Sequence, residues 1–91
     1  MVSAMENRAR VVCRPVGPGE RGPREGWLRL PVVLDAAEPL EGCADLLSPS
    51  VGRQLSALVP PDLSPAVSGK DSWQGEAELV GPGVIRLRGA R

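Results

Sequence analysis

The sequence predicts an all-β fold, a small antiparallel barrel of five or six short strands with room for one short helix. Apolar and polar residues alternate at period two through most of the chain, the pattern of half-buried strands. The 91 residues include 11 Gly and 10 Pro, which cut that alternation into the short runs of a barrel or sandwich. At this length one hydrophobic core can form and a second cannot. Composition makes that core aliphatic, because there are two Trp and no Phe or Tyr. Trp27 and Trp73 are the largest side chains available to a core or to a binding surface.

The elements follow in order. Residues 1–7 lack periodicity and read as a disordered tail, which leaves 8–91 as a single barrel domain. In residues 8–15, Ala9, Val11 and Cys13 share one face, and Arg8, Arg10 and Arg14 the other. Residues 16–26 hold Gly17, Pro18, Gly19, Gly22, Pro23 and Gly26 and must be a loop. Residues 27–34 form the clearest strand, with Leu28, Leu30, Val32 and Leu34 on one face. Pro31 removes a ladder donor there, so an edge or bulged strand is expected. Residues 35–42 read as a turn with a short extended piece near residues 39–41. Residues 44–59 fit either a helical stripe or an alternating strand; Pro49 and the neighbouring strands favour a strand over 51–59, ended by Pro60-Pro61. One helical turn can follow Asp62. Two last runs, 73–80 and 84–88, flank Gly81-Pro82-Gly83 and read as a closing hairpin with Glu outward on one strand and Arg on the other.

Formal net charge is zero, yet the charges are segregated. Residues 1–34 carry six Arg against three Glu, and residues 79–91 carry three Arg and no acid. Residues 35–78 hold eight acids against Arg53 and Lys70. Overall neutrality argues against generic nucleic-acid affinity, for which excess positive charge is needed, and no DNA partner is expected; a local basic face is still compatible with it. Ten of the basic residues are Arg and one is Lys, which together with the Gly, Pro and Ala content looks like coding from a GC-rich bacterial genome.

The chain has no His, so the usual serine or cysteine nucleophile-base pairs cannot be assembled, and no enzyme is expected. Two Cys outside any Cys-x-x-Cys spacing make a poor metal set, and neither metal nor cofactor is expected. Gly17-x-Gly19-x-x-Gly22 has a nucleotide-loop spacing but leads into a strand rather than a helix, which leaves no helix N-terminus for a phosphate. No leader or long apolar run is present, so a cytoplasmic protein with reduced thiols and no membrane contact is expected.

What remains is a binding or interaction module for a protein or RNA partner. Its candidate residues are Arg21 and Trp27 at the loop–strand junction, then the outward set Arg10, Arg14, Arg86 and Arg88. If the first and last strands pair, that set forms one basic patch able to fork onto phosphates, with a Trp to stack on a base. The plainer expectation is a solvated face in which these Arg pair with Glu76 and Glu78. The alternative function is a ligand-binding regulatory barrel. Arg10-Val-Val-Cys-Arg14 has the Arg-x-x-x-Arg spacing of nucleotide-sensing PilZ barrels, and Asp71-Ser72-Trp73-Gln74-Gly75 is one residue short of their second element.

Several short pieces also resemble the third domain of elongation factor Tu, here as a free-standing barrel. Val80-Gly81-Pro82-Gly83-Val84-Ile85 is similar to its Val-Gly-x-Gly-Val-Val ending, with Gln74-Gly75-Glu76 where that family has a Gly-rich hairpin. Arg8-Ala9-Arg10-Val11 resembles its opening strand, and Gly19-Glu20-Arg21 followed by Gly26-Trp27 resembles its Gly-Gly-Arg loop ending in Gly-Tyr. The resemblance implies a β-barrel that binds protein or RNA. The family's His-Thr-Pro and core Phe residues are missing, and residues 43–52 have no counterpart. With no GTP-binding domain in this chain, GTPase activity does not carry over.

Overall fold

A computed structural model describes residues 7–90. The tail read over residues 1–7 lies outside them except for Asn7. The strands are β1 (Ala9–Pro15), β2 (Glu20–Arg21), β3 (Leu28–Pro39), β4 (Gln54–Val59), β5 (Trp73–Gly81) and β6 (Val84–Ala90). A 3-10 turn (Ser48–Ser50) precedes β4, and a one-turn helix, α1 (Ser64–Val67), follows it. Hydrogen bonding runs β1-β5-β6-β4-β3 and returns from β3 to β1. Five strands therefore close a barrel, and β2 is an extra strand laid beside the start of β3. Closure removes most of the exposed edges that a five-stranded open sheet would present.

The core follows the alternation. Ala9, Val11 and Cys13 of β1, Leu30, Val32 and Leu34 of β3, Leu55, Ala57 and Val59 of β4, and Ile85 and Leu87 of β6 all point inward and are buried. Leu47, Leu63 and Val67 join them from the connections. Among the described residues no charged side chain is buried. Trp73 is the aromatic member of this core, at 4% exposure. Gly75 makes room for it: a Cβ at that position would collide with the Trp73 ring and with the Gly89 carbonyl oxygen. The indole Nε1 of Trp73 is buried without a hydrogen-bond partner.

Several expectations change. The barrel is not wholly antiparallel: β4 and β6 run parallel through Ser56↔Val84, Ala57↔Ile85 and Leu58↔Arg86. A parallel pair needs a crossover, and α1 with β5 supplies it. The first and last strands do not pair, because β5 lies between β1 and β6. β3 is no edge strand despite Pro31. It pairs with β4 over Leu28–Val33 and with β1 over Val32–Pro39. The Pro31 carbonyl accepts from Val16 N–H at 2.9 Å, on the side away from β4. The missing Pro31 donor faces that same side, in the gap where β1 has ended at Pro15 and β2 has not begun.

The bulge in β3 falls instead at Asp35, between the partners of Val12 and Cys13. Residues 36–38, expected in a turn, continue the strand to Pro39 because β1 offers them a ladder. The ambiguous stretch becomes a strand over Gln54–Val59, with turns before it. Asn7 is anchored: its side chain donates to the Leu79 carbonyl at 3.1 Å and accepts from the Leu79 N–H at 2.6 Å.

Candidate functional site

Residues 22–27 link β2 to β3 as a tight, backbone-bonded loop. Trp27 N–H donates to the Arg24 carbonyl at 3.1 Å, and Gly22 N–H donates to the Trp27 carbonyl at 2.8 Å. Gly22 lies so close to the Trp27 backbone that an added Cβ would sit 2.8 Å from it. Both contacts fix where Trp27 leaves the loop. The indole is half-buried and lines a cleft of about 250 Å³ with Pro23, Arg24, Leu58 and Arg86. A neighbouring hollow of about 530 Å³ follows the loop itself, lined by Arg21, Pro23, Arg24 and Glu25.

Two residues of this cleft, Leu58 and Arg86, belong to a row that crosses the barrel wall. Register pairs Glu20 with Arg29, Arg29 with Leu58, Leu58 with Arg86, and Arg86 with Glu78. All are on the outward phase of their strands, opposite to the core positions. Leu58 is thus an apolar outward residue flanked by two Arg, with an acid at each end of the row. Among the described residues no carboxylate pairs with Arg21, Arg24 or Arg29. Glu78 accepts from Arg86 Nε at 2.8 Å, from Arg86 Nη2, and from Arg88 Nη1 at 3.2 Å. Burial alone would raise the Glu78 pKa, but the Arg86 hydrogen bond and the charges of Arg86, Arg88 and Arg8 together hold it below the usual carboxylate range.

The expected Arg set is therefore divided. Trp27 and Arg86 meet in one cleft, with Arg21 beside it and Arg88 joined through Glu78. Arg10 and Arg14 are on β1, separated from β6 by β5 and its Glu76 and Glu78. Arg14 Nε donates to both carboxylate oxygens of Asp35, at 2.9 and 3.1 Å. Arg10 has Glu38 and Glu76 as its register partners and lines a separate groove of about 340 Å³ with Val12, Ala36 and Gln74. The single basic patch does not form on that side: alternating charge across β3, β1, β5 and β6 replaces it. Two residues of the cleft were not among the candidates expected from the sequence. Arg24 shares a loop with Arg21 and Trp27. Leu58 is the apolar residue that breaks the polar phase of β4 after Gln54 and Ser56, and that break was its signal.

Cys13 is fully buried, and burial with the nearby Asp35 charge pushes its thiol up to about 11. That is the environment of an inert core cysteine. Among the described residues no group of three or more His, Cys, Asp or Glu is placed to hold a metal, and no helix is long and apolar enough to cross a membrane. No family model, curated protein or solved structure matches the chain.

Proposed function

We propose that this chain is a non-enzymatic binding module that takes a short stretch of single-stranded RNA across the Trp27 cleft. The observation that carries this reading is the cleft itself, which an indole, two Arg (Arg24 and Arg86) and the apolar Leu58 line together. Such a site offers a stacking face for a base and guanidinium forks for the phosphates on either side. The strand order adds support by analogy. Counting the five closing strands along the chain, the order is 1-2-3-5-4-1, with the third and fifth parallel and the helix before the fourth. That is the order of the OB Greek-key barrel, which binds oligonucleotides on its second and third strands and on the loop between the first two. Here those parts are β3, β4 and the loop carrying Arg21, Arg24 and Trp27. Fold analogy alone does not assign function; the cleft residues make the case specific.

The test is titration of the chain with oligouridylate at low salt. Trp27→Ala is expected to weaken binding about tenfold or more, the usual range for one base–aromatic stack. Arg24→Ala and Arg86→Ala weaken it and flatten the salt dependence, whereas Arg10→Ala, in its separate groove, leaves it unchanged. Failure of the folded chain to bind oligouridylate at low salt overturns the proposal.

A further inference from the structure

Glu78 stands at the far end of the cleft row and meets Arg86 of that row, and Arg88 beside it, with a single oxygen. Its side chain is 14% exposed, while those of Arg86 and Arg88 are 39% and 37% exposed. Both Arg side chains are thus partly open to solvent, and the Glu78 side chain that pairs with them is more buried. Oε1 takes the Nε and Nη2 donors of Arg86 together, the same side-on edge that a phosphate would use. We propose that Glu78 is the internal counter-ion of the Trp27 cleft, a specificity-determining residue that holds Arg86 and Arg88 until a phosphate of the bound strand displaces it. The inference rests on the reading of the cleft as an RNA site and deepens it.

Its consequence is selectivity. A polyanion without bases must exchange one anion for another at Arg86 and gains little from doing so. A strand with exposed bases adds stacking on Trp27 and binds. Glu78 therefore acts against plain polyanions, as a built-in competitor does in other specific sites.

The experiment compares wild type with Glu78→Gln, which keeps the shape and one acceptor oxygen and removes the charge. Oligouridylate affinity at low salt is expected to rise about fivefold, the scale of one ion pair between partly exposed groups. The log–log salt slope should steepen by about 0.7, the increment for one phosphate charge on a single strand, because no displaced carboxylate then offsets the Arg86 charge that meets the phosphate. Affinity for heparin, a polyanion with no bases to stack and so no second source of affinity, should rise by a similar factor, because either ligand must displace Glu78 at the same cost. An unchanged slope, or weaker oligouridylate binding by a folded Glu78→Gln protein, overturns the inference. A second measurement needs no variant: the Arg86 Nε–H resonance of the wild type should move on saturation with oligouridylate, and a fixed resonance overturns it equally. Binding by the wild type with no change in Glu78→Gln defeats the role of Glu78 alone. Absence of oligouridylate binding by the wild type defeats the cleft reading and this one with it.

Discussion

At the scale of single residues, the sharpest constraint is Gly75. Its missing side chain is the space that the Trp73 ring and the Gly89 carbonyl occupy. Gly75→Ala is expected to cost about 3 kcal/mol, the upper part of the range for overpacking a tight core, read from urea denaturation midpoints at unchanged slope. The two thiols should separate cleanly. Cys43 is half-buried and should react with a thiol reagent at pH 8, while Cys13, buried and raised to about 11, should react only after unfolding. Equal rates for both thiols in the native state would contradict the packing around Cys13. Glu78 gives an acid-side prediction. Its folded pKa is depressed, so its contribution is present above the unfolded value and is lost as pH falls through the folded pKa. Wild type should lose stability on going from pH 5 to pH 3, and Glu78→Gln should lose less over the same window. The sequence made the opposite charges of the closing hairpin visible, but not that one carboxylate would serve both Arg86 and Arg88. That follows from the shifted register of β5 against β6, in which Glu78 meets Arg86 directly.

At the scale of elements, period-two alternation marked the inward faces of β1, β3, β5 and β6, because side-chain phase is a local property of an extended chain. Strand ends were less legible. β3 runs on to Pro39 because β1 offers a ladder beyond the Asp35 bulge, a tertiary contact that no local turn signal reports. Pro31 misled for a related reason: a proline bars a central strand only where its N–H would face a partner. Register partners Pro31 and Ser56 put this to a test. Pro31 is accommodated, while Ser56 N–H donates to the Gly83 carbonyl at 2.9 Å across the parallel seam. Ser56→Pro should therefore destabilise the chain by about 3 kcal/mol, measured by thermal or urea unfolding. A near-neutral Ser56→Pro would mean that the β4–β6 seam is not what closes the barrel.

For the molecule as a whole, the fold class could be read from the sequence and the strand order could not. Alternation and turn residues say how many strands there are. Which strands become neighbours depends on the crossover through α1 and β5, and that crossover placed β5 between the two Arg-bearing strands. The candidate site was half legible for the same reason. Arg21 and Trp27 are close in sequence and stay close in the fold, whereas Arg86 and Leu58 reach them only through barrel closure. Arg10 and Arg14 were drawn away by the intervening Glu-bearing strand. The central claim is that the Trp27 cleft is the binding surface. Its most direct test is an amide and side-chain ¹H–¹⁵N spectrum of the intact chain titrated with oligouridylate. Shifts are expected to concentrate on the Trp27 indole N–H, residues 21–27, Leu58 and Arg86, with the Arg10 groove silent. Shifts centred on β1 and residues 36–38, or no shifts at saturating oligouridylate, would contradict it.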